Sequence, residues 1–149
     1  MAQISDVEMA DRLSRRRSRM IPVLALLFIS GQVLYFGNMT EPMRTVDTVR
    51  ISAWLVWALA LLLLLATGGG FFRKKSVRAL MEDDVTVQNR SRAVAFGFWT
   101  AMLAAVTLYP FAMAQNVTAR EAVHIIVTFG IGAALLRFAM LERRALRDG

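Results

Sequence analysis

FFRKKSVRALMEDDVTVQNRSRA, Phe71 to Ala93, is the longest polar stretch in a chain of 149 residues, and long apolar segments flank it on both sides. It therefore reads as a hinge between two membrane hairpins. Working outward, four apolar blocks appear at 20–37, 51–72, 94–113 and 122–141. Each is close to the ~20 residues that a helix needs to cross ~30 Å of hydrocarbon. A helix pairs its backbone groups internally, which the bilayer interior demands. The expected fold is an all-α bundle of four transmembrane helices, arranged as two antiparallel hairpins within a single membrane domain, 1–149.

Lysine and arginine set the orientation. Five lie in the basic segment 1–19 (Arg12, Arg15, Arg16, Arg17, Arg19) and six in the hinge 71–93 (Arg73, Lys74, Lys75, Arg78, Arg90, Arg92). Four more lie at the C-terminal end if Arg137 is counted with Arg143, Arg144 and Arg147, against only Arg44, Arg50 and Arg120 in the other connections. By the positive-inside rule both termini and the hinge are cytoplasmic. Ser5 and Glu8 match a capping box, so a helix is expected to start there and run into the arginine cluster.

The chain is 56% hydrophobic and carries a formal charge of +7, but its basic residues flank apolar blocks instead of interleaving with aromatics on a surface. This distribution argues against nucleic acid and for anionic lipid headgroups as the partner of the charge. Cysteine is absent, which removes disulfides, thiolate nucleophiles and sulfur metal ligands. Of the 18 basic residues all but Lys74 and Lys75 are arginine, a bias that suggests a bacterial inner (plasma) membrane.

Asp83-Asp84-Val85-Thr86, followed by Asn89-Arg90, Ala93 and Gly97-Phe98-Trp99, resembles the linker and third-helix start of small bacterial four-helix inner-membrane proteins that have no assigned activity. It departs from them in having Asp84 where a glutamate is expected. The resemblance implies a membrane location and the same topology, and supplies no chemistry.

Candidate chemistry is sparse. None of the apolar blocks contains Asp or Glu, which proton-coupled exchange and intramembrane aspartyl catalysis would need. His124 is the only histidine and, with Glu121 alone beside it, is too poorly supplied with ligands for a metal or haem. No cofactor, metal site or catalytic residue is expected. Arg137 sits inside the fourth block, where it either snorkels or pairs with Asp84 or an anionic headgroup. Gly97, Ala101 and Ala105, with Gly130 and Ala134, form small-residue rows that allow close helix packing, within the second hairpin or in a homo-oligomer.

The expected function is that of a non-enzymatic accessory or regulatory membrane protein. Its hinge residues Asp83, Asp84, Thr86, Asn89 and Arg90, supported by Arg137, would contact a membrane or cytoplasmic protein partner or anionic lipid. The alternative is a small oligomeric transporter or channel lined by Gln32, Thr100, Thr107 and Thr128.

Overall fold

The computed structural model describes residues 6–36, 45–68 and 84–148. Four helices make up the fold: α1 Asp6–Phe36, α2 Thr45–Thr67, α3 Asp84–Ala114 and α4 Ala119–Asp148. There is no strand among the described residues. Asp83 and the rest of the hinge before Asp84, with Arg73, Lys74, Lys75 and Arg78, lie outside them.

Three helices are long and apolar enough to cross a membrane, over Thr48–Thr67, Asp84–Ala114 and Ala119–Ala145. They have the surface that such a setting requires. Leu59 and Leu63 on α2, Leu103, Val106 and Phe111 on α3 and Phe129 on α4 are all exposed.

Three helices, α1, α3 and α4, are longer than their apolar blocks by ten or more residues. α1 continues through the arginine cluster back to Asp6, and α3 begins at Asp84, ten residues before the apolar block at 94. The cause is local: both extensions lack glycine and proline, so nothing interrupts the helix where polarity changes. At 1.5 Å per residue the 31 residues of α1 and of α3 each measure about 46 Å, well over the hydrocarbon thickness. α4 starts at a capping box: Thr118 N donates to Glu121 Oε2 at 2.7 Å, and Glu121 N donates back to Thr118 Oγ1 at 3.3 Å.

Packing is organised around α4, which touches each of the other helices, most closely α3. The reason lies in its sequence phase. His124, Thr128, Ile131, Leu135, Phe138 and Glu142 recur at helical spacing and are all buried, so one face of α4 runs from end to end against its neighbours. Ile21, Ala25 and Phe28 of α1 and Ala58, Leu61 and Leu65 of α2 meet this face to form the core. α1 and α2 make little direct contact with each other, and each is held chiefly through α4.

The α3–α4 seam is built from the small rows. A Cβ added at Gly97 would lie 2.6 Å from Gly130 O and 2.7 Å from Ala134 Cβ, closer than atoms approach. Across the same seam, a Cβ on Gly130 would meet Ala101 Cβ at 3.1 Å. These four residues thus let two backbones touch within one chain. Ala105, two turns above Gly97, is half-buried.

Candidate functional site

Arg17 occupies the position where all four helices converge. It lies one turn before Ile21 on the buried stripe of α1, and its side chain is 7% exposed. Its Nη2 donates to Glu142 Oε2 of α4 at 2.5 Å and to Thr86 Oγ1 in the first turn of α3 at 3.4 Å. Its Nη1 donates to Gly68 O, just past the end of α2, at 3.2 Å. The guanidinium also sits 5.7 Å from the centroid of the Phe138 ring. One side chain thereby bonds to the end of α2 before the hinge and to the first turn of α3 within it.

Gly68 makes this geometry possible. It adopts φ +61°, the left-handed conformation that ends α2 and that glycine takes without steric penalty. Its carbonyl, buried at the end of the helix, accepts from Arg17. A Cβ there would meet Arg90 Nη1 at 2.9 Å and Arg17 Nη1 at 3.8 Å, so two guanidiniums flank the glycine.

The Arg17–Glu142 pair is buried on both sides, with side-chain exposures of 7% and 5%. Buried ion pairs must offset a large desolvation cost, and they do so only with good geometry and further hydrogen bonds. This one is not saturated. Arg17 Nε and Glu142 Oε1 are buried and make no hydrogen bond. Among the described residues the site joins these arginines to one carboxylate, a threonine hydroxyl and a backbone carbonyl; its chemistry is that of an electrostatic clamp.

The residues expected at the hinge are distributed unequally around the clamp. Thr86 is bonded to it, Arg90 lies against Gly68, and Asp84 is exposed at the start of α3. Asn89 is buried on the stripe that it shares with Ala93 and Gly97, so it packs the bundle instead of facing outward. Arg137 is elsewhere: its guanidinium lies 5.7 Å from the Phe96 ring centroid. Phe96 is twelve residues along α3 from Asp84, about 18 Å by helical rise, so the structure does not bring Arg137 and Asp84 together.

A second polar cluster marks the opposite end. His124 Nε2 donates to Gln32 Oε1, while Gln32 Nε2 donates to Phe28 O at 3.0 Å. The Trp54 ring stacks on His124 with centroids 3.9 Å apart, tying α1, α2 and α4 together. Buried Thr128 lies one turn along α4. Thr100 and Thr107, in contrast, turn back to the carbonyls of Phe96 and Leu103 in their own helix. Gln32, Thr100, Thr107 and Thr128 thus share no common lining within one chain.

Arg17 and Glu142 were hidden in the sequence as members of a basic cluster and of a helix end. The signal that identifies Arg17 is phase: it precedes Ile21, Ala25, Phe28 and Gln32 at helical spacing on a single face.

No protein-family model matches the chain, and no curated protein or solved structure matches it.

Proposed function

We propose that this chain is a four-pass protein of the bacterial inner membrane, with both termini and the 71–93 hinge on the cytoplasmic side, that serves as a non-enzymatic accessory or regulatory subunit for a protein partner. The fourth span is the apolar block 20–37, which lies in α1 as far as Phe36 and is close to the ~20 residues a crossing requires. The observation that carries the functional reading is the bonding of Arg17 to Gly68, just before the hinge, to Thr86, in its helical C-terminal part, and to Glu142. A partner that moves the hinge must change those bonds, and through Glu142 it changes how α1 sits on α4.

Asp83, Asp84 and the basic residues Arg73, Lys74 and Lys75 supply the contact charges in this reading, and Arg17 supplies the coupling. The clamp's unsatisfied Arg17 Nε and Glu142 Oε1 favour it, since a partly bonded network has a second arrangement available. The test is native mass spectrometry of the tagged chain, gently extracted from its own membrane. The expected result is a second polypeptide at fixed stoichiometry that is lost in the Asp83→Lys/Asp84→Lys variant. A homo-oligomer carrying lipid alone would overturn the accessory reading in favour of a transporter.

A further inference from the structure

Between α2, α3 and α4 lies a groove of about 530 Å³ whose lining is wholly apolar. Leu65 and Ala66 of α2 and Val94 of α3 form one end, and Ala101 and Ile126 lie toward the other. Its rims at Leu62, Ala66, Val94 and Phe98 are exposed, so it opens sideways to whatever surrounds the bundle. Ala66 precedes Gly68 by two residues, and Val94 follows Arg90 by one turn. Half-buried Arg90, one turn before Val94 and with its Nη1 buried against Gly68, thus lies next to the end of the groove nearest the hinge.

The geometry points to a specific occupant: one acyl chain of an anionic glycerophospholipid, with its phosphate at Arg90. Depth is the first argument. From Val94 to Ala101 the groove follows α3 for seven residues, about 10 Å by helical rise. This depth falls within one leaflet of about 15 Å, half the hydrocarbon thickness. An acyl chain enters at headgroup level and ends near the midplane, which matches a lining that begins at Ala66 and Val94 and reaches only to Ala101 on α3. A helix of a second copy would run the full thickness and meet the groove over only about a third of it.

Charge is the second argument. The N-terminal segment, the hinge and the C-terminal end together hold fifteen of the eighteen basic residues and eight of the eleven acidic ones. These segments therefore carry the entire net charge of +7 and the other connections are neutral, and the Ala66–Val94 end of the groove adjoins two of their arginines, Arg17 and Arg90. Two copies would repel each other there, whereas an anionic headgroup is attracted. The inference rests on the membrane location proposed above and is independent of the protein partner.

The experiment reconstitutes the full-length chain into nanodiscs containing equal amounts of phosphatidylglycerol and phosphatidylcholine, and counts retained lipids by native mass spectrometry. The expected result is one phosphatidylglycerol held per chain in preference to phosphatidylcholine, not displaced by soluble glycerol phosphate. Arg90→Gln should lower that preference by about fivefold, from roughly 1 kcal/mol per arginine near the surface. Ala66→Phe, which fills the groove from an exposed position, should abolish retention, while Ala60→Phe on another exposed part of α2 should not. Equal retention of both lipids, insensitivity to Ala66→Phe, or a dimer lost on Ala66→Phe would each overturn the lipid site. A chain that stays out of the disc would overturn the membrane reading as well.

Discussion

Replacing Glu142 by alanine strands the Arg17 guanidinium in a site where its side chain is 7% exposed. Phe138 and the neutral acceptors Gly68 O and Thr86 Oγ1 remain, at 3.2 and 3.4 Å, but no carboxylate does. Breaking a buried pair by removing one partner costs about 3–5 kcal/mol, because the surviving charge is uncompensated. Arg17→Met should cost a similar amount by stranding Glu142, whose Oε1 already lacks a partner. Arg17→Met/Glu142→Met removes both charges, so its cost should fall well below the sum of the singles. The coupling energy should be of the order of 2 kcal/mol or more, within the range known for residues in direct contact. Unfolding free energies in bicelles, followed through the fluorescence of the three tryptophans, give all four corners of this cycle. Strict additivity, or a Glu142→Ala cost below about 1 kcal/mol, the range of exposed pairs, would refute the claim that the clamp is a buried ion pair.

Gly97→Ala should force α3 away from α4, since the added methyl meets the rigid carbonyl of Gly130 at 2.6 Å; a loss of about 1–3 kcal/mol is expected in the same unfolding assay, with Gly130→Ala milder. Gly68→Ala should cost about 1–2 kcal/mol from its left-handed backbone, and more if Arg90 cannot move aside; an unchanged stability would show that α2 ends differently. Gln32→Leu removes the acceptor of His124 and should cost about 0.6 kcal/mol, typical of hydrogen bonds between membrane helices, with a shift in Trp54 emission because that ring stacks on His124.

Hydropathy blocks disclosed where the apolar helices lie, because length and composition alone decide whether a segment suits hydrocarbon. They did not disclose where the helices end, although the Ser5–Glu8 capping box did mark the start of α1. The extensions of α1 to Asp6 and of α3 to Asp84 are polar, and a helix continues through a change of polarity when no breaker intervenes. The small row from Gly97 to Ala134 was visible as spacing, and the close backbone approach across it follows from residue size. Arg17 was obscured by its neighbours: Arg15, Arg16 and Arg19 are exposed, and only the helical phase with Ile21 and Ala25 separates it from them. Glu142 was equally hidden, since its burial depends on α1 crossing α4 at that level, a tertiary fact that no local pattern carries. For Asn89 the local pattern misled, because its polarity suggested an outward contact and its four-residue spacing from Ala93 and Gly97 placed it inward.

The claim that Arg17 ties the hinge to the bundle is tested most directly by distance measurement. The chain has no cysteine, so spin labels on Leu63→Cys, on α2 before the hinge, and Val87→Cys, in the first turn of α3, both exposed, report a single pair. Double electron–electron resonance should give one narrow distance in the otherwise wild-type chain and a broadened or shifted distribution when Arg17→Gln is added. Identical distributions with and without Arg17 would contradict the account.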